Sequence, residues 1–101
     1  MRILVMFDLP TNTAKQRRAA TKFRNFLLKD GYHMVQYSVY SRVCAGNDDM
    51  EKHYERIEKN LPCEGSVRMI SLTEKQYLSQ KILLGKPEKE DKMSANTVEI
   101  Y

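Results

Sequence analysis

The chain has 101 residues, 42% of them hydrophobic and 30% charged, enough for one domain but not two and too apolar for a disordered chain. Its longest apolar run, Ile3 to Phe7, is far too short to span a bilayer, and the N-terminus lacks the apolar core and cleavage site of a signal peptide, which points to the cytoplasm. The net charge is +4 and unevenly spread: residues 1–46 carry eight basic side chains against Asp8 and Asp30, a balance of +6, whereas residues 47–101 carry nine against eleven acidic ones.

That asymmetry suits a polyanionic partner for the N-terminal half, nucleic acid above all. The small size limits the core that one chain can bury and favours dimerisation. Cys44 and Cys63 are the only cysteines. Without a CxxC spacing they argue against a zinc site and read as reduced thiols.

Residues 2–8, RILVMFD, form an apolar run rich in branched side chains, predicting a buried central strand. Leu9-Pro10-Thr11-Asn12 is a turn, because Pro10 fixes its own φ and disfavours helix at Leu9. Thr13, with Gln16 three residues on, fits a capping box, so a first helix is expected from Ala14 to about Asp30, stopped by Gly31. Ala19, Phe23, Phe26 and Leu27 recur at helical spacing and should pack on the sheet. Lys15, Arg18, Lys22, Asn25 and Lys29 fall on another face, with Arg17 and Arg24 on its far flank. Asp30 is that helix's one acid, so the helix forgoes the mixed-sign pairs of an ordinary surface helix.

Residues 32–44, YHMVQYSVYSRVC, alternate as β-structure, either one long strand or two with a break near Gln36 to Ser38. Asn47 can cap a second helix whose first turn holds Asp48, Asp49 and Glu51. Its expected apolar stripe is Met50, Tyr54, Ile57 and Leu61, and Pro62 ends it. Ser66 to Leu72 reads as a strand. Thr73 and Gln76 cap a short helical turn, and Lys81 to Leu84 reads as a brief strand closed by Gly85. Residues 86–92, KPEKEDK, look like a linker, and Val98 to Tyr101 is either a last strand or a docking tail. The order β-α-β(β)-α-β predicts an α+β, ferredoxin-like βαββαβ fold with an extra C-terminal strand. Two helices cover one sheet face, and a second copy of the chain is the simplest cover for the other.

Asp8 stands out chemically. It is the one carboxylate in the first 29 residues, at the end of a buried strand and just ahead of Lys15, Arg17 and Arg18. The plainer alternative is a turn-forming Asp whose side chain bonds the backbone ahead of Pro10. One Asp is a poor Mg2+ site, because that ion takes near-octahedral oxygen ligands, commonly one or two carboxylates with waters and phosphate oxygens. A two-fold axis in a dimer can supply a second Asp8. His33 and His53 form no constellation and read as structural or solvated. Tyr32, Tyr37 and Tyr40 can stack on bases, although sheet packing explains them as well.

The segments MFDLPTNT, GYHMVQYSVYSR and SLTEKQYLSQKILLG together resemble the CRISPR-associated Cas-two family in the style of type II systems, over about residues 1–85. The resemblance implies a ferredoxin-like homodimer with an exchanged C-terminal strand, occupying residues 1–85, with residues 86–101 as linker and tail. It also implies a metal-dependent, endonuclease-like subunit of CRISPR adaptation that pairs with the integrase subunit and holds a DNA fragment. The family's metal-binding, catalytic Asp falls on Asp8 and its serine after the glutamine on Ser38, in a supporting role. Its early-helix basic positions fall on Arg17 and Arg18, within a nucleic-acid surface of Lys15, Arg17, Arg18 and Lys22. The tail after Gly85 departs from the pattern, so an integrase contact through it has no matching motif. Two other readings share these residues: a stand-alone, toxin-type endoribonuclease similar to the VapD group, and a non-enzymatic ferredoxin-like nucleic-acid-binding module.

Overall fold

A computed structural model of the chain describes residues 1–86. It contains β1 (Arg2–Asp8), α1 (Ala14–Lys29), β2 (His33–Gln36), β3 (Val39–Val43), α2 (Asn47–Glu58), β4 (Ser66–Leu72) and the short α3 (Glu74–Leu78). The strands form one sheet in the order β2-β3-β1-β4, with every neighbouring pair antiparallel. This is the expected ferredoxin-like α+β arrangement. Among the described residues no helix is long and apolar enough to cross a membrane.

The strand-end position of Asp8 follows from the centrality of β1. Ile3, Val5 and Phe7 point to the helical side and are buried. Phe7 meets Phe23 of α1 edge-on with ring centroids 5.3 Å apart and stacks on Tyr40 of β3 at 5.6 Å. Leu27, Tyr32, Cys44, Met50 and Ile57 complete this core. Burying each such side chain contributes about 1.5–3 kcal/mol, which fixes the register of β1 against both neighbours.

Helix α1 starts as its sequence dictates. The Thr13 hydroxyl accepts from Gln16 N–H at 3.1 Å, and the Gln16 side-chain oxygen accepts from Thr13 N–H at 3.0 Å. It ends in a Schellman turn around Gly31 at φ +91, with Tyr32 N–H on Leu27 O at 3.0 Å and Gly31 N–H on Leu28 O at 3.2 Å. Arg42 of β3 caps the same end by donating to Asp30 O at 2.7 Å, and a Cβ on Gly31 would run into its guanidinium. The buried stripe is Ala20, Phe23 and Leu27. Ala19 and Phe26, expected in the core, are only half-buried on its flanks.

Three further expectations are corrected. Asn47 lies inside α2 and caps nothing: Gly46 is the N-cap, and Asp49 reaches back to accept from Ala45 N–H at 3.0 Å. The buried stripe of α2 is Met50, His53 and Ile57, with Tyr54 half-buried. Leu61 is 47% exposed because the helix stops at Glu58. The brief strand expected at Lys81 to Leu84 does not form, and Leu83 and Leu84 are 93% and 95% exposed. Within one chain this segment pairs with no sheet edge. The linker beyond Lys86 and the stretch Val98 to Tyr101 lie outside the described residues.

The 32–44 segment resolves into two strands. Ser38 adopts φ +65, which turns the chain between β2 and β3, and the register slips between Met34 and Gln36. On the sheet face away from α1 and α2, α3 and residues 80–86 are what lies over the strands among the described residues. They leave a groove lined by Leu4, Val35, Val39, Tyr77 and Ile82 among others. At one end of that face Arg2 is completely buried, with Glu74 at 3.1 Å and its guanidinium 4.0 Å from the centre of the Tyr77 ring.

Candidate metal and nucleic-acid site

The Asp8 side chain is exposed at the C-terminal end of β1, on the same sheet face as Leu4 and Met6. Its backbone is held from both sides. Phe7 N–H donates to Ser38 O at 3.0 Å, which ties the β2–β3 turn to the residue before Asp8. Across the other edge Asp8 pairs with Ser66, and Gly65 at φ +101 approaches so closely that a Cβ there would lie 2.7 Å from Asp8 O. Among the described residues the Asp8 carboxylate accepts no hydrogen bond and forms no ion pair. The plainer turn-forming role is therefore not what this side chain does. The carboxylate is rigidly placed, solvated and available to an external ligand.

The same end of the sheet carries the start of α1. Gln16 donates its side-chain amide to Glu64 at 2.7 Å, which links the helix start to the loop that contains Gly65. Arg17 has a different task from its neighbours: it donates to Thr11 O at 3.1 Å and Asn12 O at 3.3 Å, bracing the loop between Asp8 and the helix. Lys15, Arg18 and Lys22 are exposed and form no ion pair among the described residues. Arg18, Lys22, Asn25 and Lys29 line one shallow strip with Phe26 between them. Asp30, the acid at the C-terminal end of the helix, does not neutralise this strip, because Arg56 at 2.8 Å and His53 at 3.1 Å engage its carboxylate. The helix thus presents unpaired cations, an aromatic ring and an N-terminus without acids, a surface suited to phosphate groups.

Asp8 joins no group of three metal-ligating side chains among the described residues. Asp8 thus lacks a set of ligating side chains around it among the described residues, and with water and phosphate ligands alone it is a weak Mg2+ site. Ser38 is brought to Asp8 through its backbone. His33 joins no such group, whereas His53, which the sequence left outside any constellation, sits within one: completely buried, bonded to Asp30 and facing Asp49 at 3.6 Å. The i,i+4 spacing of Asp49 and His53 on one helix face was the available signal, and the contribution of Asp30 from α1 had none.

The family model for CRISPR associated protein Cas2 matches residues 1–80. A protein of Acidovorax ebreus (strain TPSY) named CRISPR-associated endoribonuclease Cas2 is 50% identical, with both chains fully covered. One of the same name from Parvibaculum lavamentivorans is 40% identical, again over all of both chains. The crystal structure of Streptococcus pyogenes Cas2 shares the fold, with a TM-score of 0.64 at 20% identity over 82% of this chain and 99% of that one. The sequence match over most of its length and the sheet order together place the chain in the CRISPR-associated Cas2 family.

Proposed function

We propose that the protein is a CRISPR adaptation subunit carrying the site of a metal-dependent endonuclease, which works as a homodimer, binds nucleic acid and assembles with the integrase subunit. The observation that carries this reading is the unengaged Asp8 carboxylate at a rigid strand end, at the same end of the sheet as the start of α1 with its unpaired cations. Mg2+ fits these residues only if two copies of Asp8 approach across a two-fold axis, with waters and phosphate oxygens filling the remaining positions. When bound there, the ion polarises a phosphodiester and makes a bound water more acidic. Lys15, Arg18 and Lys22 hold the backbone phosphates, Arg17 braces the loop after Asp8, and Ser38 anchors the strand end. The family match weighs against a stand-alone, VapD-like toxin. The names of the relatives make RNA the first substrate to try.

The test compares wild type with Asp8→Asn on single-stranded RNA, single-stranded DNA and duplex DNA, with Mg2+ and with chelator. Cleavage is expected to need the ion and to fall by about 100-fold or more in Asp8→Asn, with nucleic-acid binding retained. Equal cleavage by Asp8→Asn removes Asp8 from the chemistry. A wild type that binds but never cleaves any of the three leaves a binding subunit, without the endonuclease.

A further inference from the structure

A second group of metal-ligating side chains lies at the opposite end of the sheet from Asp8. Cys44 follows β3, while Asp49 and His53 stand one turn apart on α2. One ligand atom from each, the Cys44 sulfur, an Asp49 oxygen and a His53 nitrogen, lies within 4.8 Å of the other two. Tetrahedral zinc with bonds of about 2.0–2.3 Å sets its donors about 3.3–3.5 Å apart, so small side-chain rotations close the set. We propose that Cys44, Asp49 and His53 bind a zinc-like divalent cation, with water in the fourth position, and that this ion clamps the end of β3 to α2.

The second, independent observation is the His53 ring. It is completely buried, and its Nε2 atom has no hydrogen-bond partner although it faces the cluster, with Asp49 Oδ1 at 3.6 Å. A buried ring nitrogen left this way is costly unless something fills the place. On its other side, Nδ1 contacts Asp30 Oδ2 at 3.1 Å, and Arg56 holds the second Asp30 oxygen at 2.8 Å. A carboxylate at Nδ1 favours the tautomer with the proton on that atom, which leaves the Nε2 lone pair toward Asp49. A carboxylate behind a histidine in this way is the usual outer support of a metal-bound imidazole.

Burial, then the Arg42 charge, holds His53 below its ordinary value, against the opposing Asp30 and Asp49, a direction that favours the neutral ring. Burial, then Asp49, holds the Cys44 thiol above its ordinary value. A cation binding there would take the sulfur as thiolate and release its proton to solvent. Lys52, whose ammonium lies 3.1 Å from Asp49 Oδ1, is half-exposed and free to swing away. Arg42 opposes a cation but is committed to Asp30 O at 2.7 Å. This donor set mixes sulfur, nitrogen and oxygen and suits zinc or cobalt better than Mg2+, which separates it from the Asp8 site.

The experiment uses the full chain, stripped of metal and titrated with cobalt(II), in an Asp8→Ala, Cys63→Ser background that removes the strand-end carboxylate and the exposed thiol. One equivalent per chain is expected, with intense tetrahedral visible bands, a thiolate-to-cobalt charge-transfer band, displacement by zinc and a raised melting temperature. Cys44→Ser should lose the charge-transfer band while remaining folded by circular dichroism. Asp30→Asn should keep that band but bind about 10–100-fold more weakly. A spectrum of hydrated cobalt alone overturns the proposal, as does a charge-transfer band that survives Cys44→Ser. His53→Gln should weaken cobalt binding strongly; should it fail to fold, Asp49→Asn replaces it, and unchanged cobalt affinity in either variant equally overturns the site.

Discussion

At the scale of single residues, the interactions that matter most are those in which a charge or a backbone atom has no room to adjust. Gly65 combines φ +101 with a 2.7 Å approach of its would-be Cβ to Asp8 O. Gly65→Ala is expected to destabilise the fold by about 1–3 kcal/mol in urea titrations and to weaken any Asp8-dependent cleavage, because the β1–β4 ladder must open at Asp8 to admit the methyl group. Arg2 has no exposed surface, whereas its partner Glu74 is 30% exposed in its side chain. Removing one member of a fully buried pair costs about 3–5 kcal/mol. Solvent screening at Glu74 reduces the expected loss for Glu74→Gln to about 1–3 kcal/mol, again read by urea denaturation. Burial is the main force holding the Tyr32 phenol well above its ordinary 10.0, with Cys44 and Asp30 adding to it. The unfolded chain ionises at about pH 10 and the folded one does not, so this contribution is complete below that pH and is lost as pH rises beyond it. Wild type should therefore lose stability above about pH 10 faster than Tyr32→Phe, when both are followed by melting temperature across alkaline buffers.

At the scale of elements, α1 does two jobs with one sequence. One stripe (Ala20, Phe23, Leu27) supplies core packing, and the cationic face is left open to solvent. Changing Lys15, Arg18 and Lys22 to Ala should lower the slope of log affinity against log salt by about 0.9 for each phosphate no longer neutralised on duplex DNA, without changing stability. Arg17→Ala should behave differently. Its guanidinium braces Thr11 and Asn12, so the variant should loosen the loop after Asp8 and lower the melting temperature, with a smaller change in salt slope. Binding isotherms at several salt concentrations, read beside thermal melts, separate the two roles. A triple variant that binds duplex as tightly as wild type would remove α1 from the binding surface.

At the scale of the whole molecule, the sheet is covered on one face and, among the described residues, largely bare on the other. Ile70, cross-strand from Leu4, remains 45% exposed, and Leu83 and Leu84 are almost fully exposed on a segment that pairs with no strand of its own chain. Apolar surface of this kind, continuous with a groove over β1 and β3, is what the proposed dimer would bury. Sedimentation should accordingly show a dimer, and Ile70→Glu should shift it toward monomer and abolish Asp8-dependent metal binding while nucleic-acid binding by the Lys15 face persists. A dimer undisturbed by Ile70→Glu would move the interface elsewhere.

Local chemistry alone was enough to read β1, both ends of α1, the α3 cap and the ferredoxin-like order. Apolar periodicity, a capping box and a glycine stop act over a few residues and are written in consecutive positions. The positions of Asp8 and of the basic residues of α1 were legible in the same way, since strand end, turn and charge run follow one another in the chain. The phase of a helix against its neighbours was a tertiary decision: Ala20 rather than Ala19, and His53 in place of Tyr54, face the core because the sheet sets the rotation. The break at Ser38 was equally tertiary, because a non-glycine residue at φ +65 has no sequence signature when the backbone bond from Phe7 is what fixes it. Only folding brings Asp30 from α1, Cys44 from the end of β3, and Asp49 and His53 from α2 together, since proximity across dozens of residues depends on packing that no local pattern encodes.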